Sequence, residues 1–170
     1  EFELTDSVNV PAGRYQFLSG KLMLQTPGTS AFYAIFMFEG GGYFDGHIVS
    51  PSVQPKWNLG ASVELGGIYR IDLIRFPDRN QSLNNHIAGL QALYMLSTRI
   101  SLSALVQYNS AINKVISNVR FRYNPKEGTD LYVVFNEGRN TMLDRELPNL
   151  PVYDQRNITV KFTYTFEYQR

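Results

Sequence analysis

The chain has 170 residues, with 16 Lys+Arg against 15 Asp+Glu for a formal net charge of +1, which argues against an acidic tail or a strongly basic nucleic-acid surface while leaving room for a local basic groove. No cysteine is present, so a disulfide framework, a thiolate nucleophile and a Cys-based zinc site are excluded, and two histidines poorly supply a His-rich metal centre. The excess is aromatic, 11 Tyr, 11 Phe and 1 Trp beside 13 Gly, a composition that favours pleated sheet and tight turns.

From the N-terminus, Glu1-Phe2-Glu3-Leu4 offers neither a starter Met nor the regions of a signal peptide, so the chain is read as a mature product or a piece of a longer protein. Residues 1–14 read as an outer loop or linker, because Glu3 and Asp6 precede the Pro11-Ala12-Gly13 turn. Residues 15–170 read as strands. Leu18, Gly20, Leu22 and Leu24 alternate with Ser19, Lys21, Met23 and Gln25; Phe32–Phe38 is apolar on both faces. The apolar run Ala31–Phe38 closes at Glu39 and three glycines, too short for a transmembrane helix. Ala61, Val63 and Leu65 alternate with Ser62, Glu64 and Gly66, whereas Leu93 and Met95 break the polar row of Ala88–Leu96. Leu102, Ala104, Val106 and Tyr108 alternate with Ser101, Ser103, Leu105 and Gln107. Further on, Val119, Phe121 and Tyr123 alternate with Asn118, Arg120 and Arg122, and Leu131, Val133 and Phe135 with Tyr132, Val134 and Asn136. Val160, Phe162, Tyr164, Phe166 and Tyr168 alternate with Lys161, Thr163, Thr165, Glu167 and Gln169.

The pattern predicts about nine strands, near 15–26, 30–40, 43–54, 57–70, 83–96, 98–109, 114–124, 129–139 and 157–169. Most run to about 9–12 residues, beyond the mode of about 5–6 in globular sheets and close to the 9–11 of a transmembrane β-strand. Short turns are expected at 26–29, Pro55-Lys56, 97–99 and 124–128, and long loops at 71–83 and 140–156, the periodicity of an outer-membrane barrel. The fold class is all-β, an antiparallel transmembrane β-barrel in the bacterial outer membrane.

Free energy sets the faces. Arg120 or Arg122 pointing into lipid near the midplane costs about 2–4 kcal/mol each, so both point inward, toward water or carboxylates such as Glu64 and Glu137. Val119, Phe121, Phe162, Tyr164 and Phe166 then face lipid, and Lys21, Glu64, Gln91, Gln107, Arg120, Arg122, Asn136 and Lys161 line the interior, with Glu167 inside or at the rim. Trp57, Tyr123 and Tyr168 fall at one interface and Tyr108 at the other, as an aromatic girdle. With a periplasmic C-terminus, nine strands put the N-terminus outside. Either Phe2–Val10 is a tenth strand or upstream strands belong to a larger barrel, of which this is the C-terminal part; the second is the expectation here.

The ordered motifs Leu102–Asn109, Asn118–Tyr123, Gly128–Arg139 and Val160–Phe166 resemble the C-terminal region of a Gram-negative outer-membrane family. Its members carry an N-terminal module like the family-9 carbohydrate-binding modules and a C-terminal β-barrel. Pro11–Tyr15 and Gly42–Gly46 fit the same pattern, so the resemblance spans residues 11–168. It implies an outer-membrane location and barrel fold and brings no catalytic residues. The carbohydrate-binding module is absent from this chain, and Arg170 stands where a terminal aromatic is common.

No catalytic, cofactor or metal site is expected. His47 and His86 read as polar rim residues, no motif selects Ser101 or Ser103 as a nucleophile, and Asp144, Glu146 and Asp154 match no calcium loop. The sequon Asn157-Ile158-Thr159 reads as accidental. Met142, Leu143, Leu147, Leu150 and Val152 in the long loop require cover, from the lumen, the rim or a partner. The inward row has two readings: a water-filled lumen that attracts anions or sugars, or a closed interior whose groups pair with one another. The expected function is a channel or transport-complex component, without catalysis. The alternatives are a surface scaffold or anchor for a carbohydrate-binding or assembly partner, and a soluble lipocalin-like ligand barrel. Expected partners are outer-membrane lipid, other outer-membrane or periplasmic proteins and carbohydrate, with no nucleic acid and no cofactor.

Overall fold

The computed structural model describes residues 2–5 and 8–166. It is all-β, with a short 3-10 turn at Pro77–Arg79 as its one helical element among the described residues. β1 (Phe2–Thr5) and β2 (Val8–Val10) form a hairpin of their own, where a loop was expected, and it pairs with no strand of the main sheet. β2 approaches β7, and Val10 is buried.

Nine strands follow in one antiparallel sheet: β3 (Ser19–Gln25), β4 (Phe32–Tyr43), β5 (Gly46–Leu59), β6 (Val63–Phe76), β7 (Gln81–Met95), β8 (Ile100–Asn109), β9 (Lys114–Lys126), β10 (Thr129–Asn140) and β11 (Tyr153–Tyr164). Spatial order equals chain order, so each strand returns beside the last through a local connection. β3 and β11 are the two edges, and they are not paired with each other.

Two expected connections differ. Pro55 and Lys56 lie inside β5, opposite Ala34 and Tyr33, and the chain reverses instead at Gly60, whose φ of 72° suits a residue without Cβ. Pro55 is accommodated because a missing ladder donor at one position leaves the neighbouring pairs intact; the pairing between β5 and β6 skips from Val53–Tyr69 to Lys56–Gly66. The expected loop 71–83 is mostly strand: β6 and β7 pair without a break from Val63–Tyr94 to Phe76–Gln81, and the reversal needs only the turn ending at Asn80, whose φ is 50°. His86, expected at a strand start under a loop, therefore sits well inside β7.

Connections alternate between the two ends of the sheet. One end carries the turns at 26–31, 60–62, 96–99 and 127–128; the other carries those at 44–45, 77–80, 110–113 and the long loop 141–152. At this second end lies the small apolar core, in which Ile74 and Phe76 pack with Tyr43, Phe44, Ile48 and Leu83. Phe44 also takes the edges of Tyr15 and Phe17 at 5.4 and 5.7 Å between centroids, which ties the segment before β3 to the first turn. Gly46 is required there, since a Cβ would collide with the Arg75 carbonyl oxygen.

Most of the apolar side chains remain outside any core. Only Val10, Ala34, Ile74 and Phe76 are buried hydrophobics among the described residues. The accessible surface is 11955 Å²; a water-soluble monomer of this mass exposes about 8,500 Å². The excess is the surface of a sheet whose faces and edges are uncovered.

Candidate functional site: the two faces of the sheet

Residues paired across antiparallel strands point to the same side, so the register assigns every strand residue to a face. One row runs Lys56, Gly66, Gln91, Leu105, Asn118, Asn136 and Asn157 across β5 to β11. The next runs Glu64, Leu93, Ser103, Arg120, Val134 and Thr159, and beyond it lie Met95, Ser101, Arg122, Tyr132 and Lys161. Lys21 joins the same face through Glu39 and Ser50, and Gln107 through Gly89 and Ile116. All eight residues expected to line an interior, Lys21, Glu64, Gln91, Gln107, Arg120, Arg122, Asn136 and Lys161, thus share one polar face.

The opposite face is apolar. It carries Leu22 and Leu24 of β3, Phe36 and Phe38 of β4, Val53 and Trp57 of β5, Leu65 and Tyr69 of β6, Leu90 and Tyr94 of β7 and Leu102 and Val106 of β8. Val119, Phe121 and Tyr123 of β9 continue it, with Val133 and Phe135 of β10 and Ile158, Val160, Phe162 and Tyr164 of β11. These side chains are strongly exposed; Leu90 is 73% and Phe162 64% accessible. Phe166, just past β11, sets its ring edge to Tyr164 at 4.5 Å. Lys, Arg, Asp and Glu on this face are confined to the strand ends, Arg75, Glu137, Arg139 and Arg156 at the long-loop end and Lys126 over the Tyr164 ring at the other, while two histidines also lie on it, His47 beside Arg75 and His86 inside β7. Phe32, Trp57, Tyr94, Tyr123 and Tyr164 each lie near the short-turn end of their strand, Tyr108 lies near the long-loop end of β8, and Tyr69 is in the middle of β6. Tyr168 and Glu167 lie outside the described residues.

Glu137 corrects an expectation. It does not meet Arg120 or Arg122 but sits on the apolar side, paired with Arg156 at 2.6 Å. One residue of register decides this, because Glu137 and Asn136 point to opposite faces. The partner of Arg122 is Asp130, at 2.8 Å, and Glu64 pairs with Lys56 at 3.0 Å.

The polar face divides into a connected half and an open half. Across β3 to β7 a chain of charges links Lys21 to Glu39 at 3.4 Å, Glu39 to Arg70 at 3.3 Å and Arg70 to Asp72 at 2.6 Å. Asp72, buried, also accepts from Ser50 Oγ at 2.7 Å and Asn85 Nδ2 at 3.2 Å, while Asn85 Oδ1 accepts from the Ala111 backbone N–H at 3.0 Å. Across β9 to β11 an amide ladder runs from Asn118 to Asn136 and from Asn136 Nδ2 to Asn157 Oδ1 at 3.0 Å. Between and beside these networks the side chains of Gln91, Gln107, Arg120 and Lys161 make no hydrogen bond or ion pair within the described residues.

His47 and His86 point to the apolar side and Ser101 and Ser103 to the polar side, so neither serine has an imidazole on its own face. His86 Nδ1 is 2.9 Å from the Tyr69 hydroxyl. Asp144, Glu146 and Asp154 do not converge: Glu146 pairs with Arg145 and Asp154 with Lys114, and no group of metal-ligating side chains forms among the described residues. The sequon residue Asn157 is mid-strand in the amide ladder. The long loop is tied to the neighbouring turn through Thr141 Oγ1 to the Asn113 carbonyl at 2.8 Å and Arg145 Nη1 to the Ile112 carbonyl at 3.0 Å. Leu143 and Leu150 gain partial cover, whereas Leu147 stays 92% exposed.

No family model matches the chain, and no curated protein matches its sequence.

Proposed function

We propose that the nine strands are wall of an outer-membrane β-barrel that acts in solute passage without chemistry of its own, its apolar face against lipid and its polar face toward the interior. The observation that carries this reading is the apolar face, continuous over nine strands and free of Lys, Arg, Asp and Glu except at the strand ends, with His86 as its one titratable imidazole inside a strand among the described residues. Water gives such a face no counterpart, whereas a bilayer rewards it and penalises a charge at its middle by about 2–4 kcal/mol. Strand length agrees: a 12-residue strand such as β10 reaches about 40 Å, and a tilt of about 35–45° brings that close to the 30 Å hydrocarbon core.

Strand sense adds a condition. With all neighbours antiparallel, β3 and β11 run the same way. An all-antiparallel closed barrel therefore needs at least one further strand between these edges, consistent with a larger barrel. Asn157 ends its amide ladder at the β11 edge, where its own Nδ2 is available to that neighbour.

The free groups Arg120 and Lys161 give the interior an anion-attracting side. The charge network across β3 to β7 favours a second reading, an anchor whose interior is blocked by its own paired groups. Single-channel recording of the protein extracted in detergent separates them. Anion-selective conductance that weakens or reverses in Arg120→Glu/Lys161→Glu supports passage; a silent bilayer containing inserted protein supports the anchor. Failure to float with phosphatidylcholine vesicles, with solubility in detergent-free buffer, overturns the membrane reading and favours a soluble ligand barrel.

A further inference from the structure

Strands β5, β6 and β7 carry two unclaimed hollows on the apolar face, one above the other. The upper is a notch of about 410 Å³ beside the Pro77–Arg79 turn, where His47, Arg75 and Ser82 stand side by side in one cross-strand row. Arg75 commits Nη1 to Asn84 Oδ1 at 2.7 Å and to its neighbour's carbonyl at 2.9 Å, which holds the guanidinium in place. Its Nε and Nη2 have no partner within the described residues. No carboxylate lines the notch: Asp45 is held by Arg79 at 2.7 Å, Asp72 points to the other face, and Asp78 lies in the turn outside the lining. The lower hollow is an apolar groove of about 420 Å³ floored at Gly67 and Gly89 and walled by Val53, Pro55, Tyr69 and Leu90.

We infer that the two hollows together seat one phosphate-bearing membrane lipid, its phosphate on Arg75, His47 and Ser82 and one acyl chain in the groove at Gly67. The inference rests on the membrane-barrel reading. Arg75 and Gly67 lie on the same face of the same strand, about 26 Å apart along it, or about 20 Å along the membrane normal at the usual tilt. Headgroup level to mid-bilayer is about the same distance, so a lipid of one leaflet spans both hollows. A guanidinium fork with two free edges matches phosphate oxygens, and the apolar lining matches the chain. Other basic residues of the same collar lack this combination: Arg156 is occupied by Glu137, and Arg139 lines neither hollow.

Native mass spectrometry of the full chain in detergent tests this, with phosphatidic acid and diacylglycerol of the same acyl chains as probes. The expected result is a one-to-one complex with phosphatidic acid, much weaker for diacylglycerol. Arg75→Gln should weaken phosphatidic acid about tenfold, the scale of one lost hydrogen bond to a charged group. Gly67→Val, which fills the groove, should weaken both lipids, and Arg139→Gln should change neither. Equal binding by wild type and Arg75→Gln overturns the site, as does an equal loss in Arg139→Gln, which would mean an unspecific basic collar. Vesicle flotation of the same variants keeps the two readings apart: a protein that floats but binds without regard to Arg75 loses only the lipid site, and one that does not float loses the barrel.

Discussion

Glu137 and Arg156 pair at 2.6 Å on the same face as Phe135 and Ile158, which oppose each other one step further along the same strands. The ion pair thus marks where the apolar band stops at the long-loop end, and everything on that face from Phe135–Ile158 to Leu131–Phe162 is uncharged. Adjacent residues of β10 make the sharpest comparison. Val133 belongs to the band and Val134 lies beside Arg120 on the polar face. Val133→Arg should lower folding stability in lipid bilayers by about 2–4 kcal/mol, whereas Val134→Arg should cost under about 1 kcal/mol. Urea titration of folding into phosphatidylcholine vesicles reads both. Equal effects would remove lipid as the covering of the apolar face.

The amide ladder yields a second expectation. Asn136 accepts from Asn118 and donates to Asn157, so it is the one member with partners on both sides. Asn136→Leu removes two partly buried hydrogen bonds and should destabilise by about 1–3 kcal/mol, while Asn157→Leu, which removes one, should cost about half as much. The same denaturant titration applies, and an equal cost for the two variants would mean that the ladder is not energetically linked.

Much of this was legible in the sequence, and the reason is the period of two. In β9 and β11, where Arg120, Arg122 and Lys161 alternate with Val119, Phe121 and Phe162, composition alone separates the faces correctly. Turn positions were less legible. Pro55-Lys56 carried the local chemistry of a reversal, but the pairing of Trp57 with Leu65 carries β5 past it to Gly60. The span 71–83 read as a loop, yet polar residues such as Asp72 and Arg75 suit both a sheltered network and a strand end. Glu137 was assigned by its charge to the interior, when its register beside Arg156 put it on the other face. Cross-strand networks such as Ser50–Asp72–Asn85 involve residues 22 and 13 apart in sequence, and no local signal announces them.

Asp72 is the centre of that network. It accepts from Ser50, Arg70 and Asn85, and its neighbours on the polar face include Ile74 of the small core. Asp72→Ala leaves three donors without their acceptor and Arg70 with Glu39 alone. Loss of one partner from a buried pair costs about 3–5 kcal/mol, and the partial exposure of Arg70 lowers the expectation to about 2–3 kcal/mol. Asp72→Asn, which keeps an acceptor oxygen, should recover part of this. Thermal unfolding in detergent measures both; a stability of Asp72→Ala equal to wild type would mean that the charge chain across β3 to β7 contributes nothing to holding the sheet.

Orientation follows from the loops. The one long connection among the described residues, 141–152, stands at the end opposite the Gly60 and Gly128 turns, and in the proposed barrel that longer loop faces outward. The absence of cysteine makes single-cysteine variants clean reporters. Leu147 is almost fully exposed at the tip of the long loop, and Glu127 lies exposed in the turn at the opposite end. Expressed in a Gram-negative host, Leu147→Cys should react with a membrane-impermeant maleimide on intact cells, and Glu127→Cys only after the outer membrane is opened. The reverse pattern would invert the barrel and move the Arg75 notch to the inner leaflet. Protection of both sites on intact cells, with labelling of both on opening, would place the whole chain beneath the outer membrane and remove the barrel.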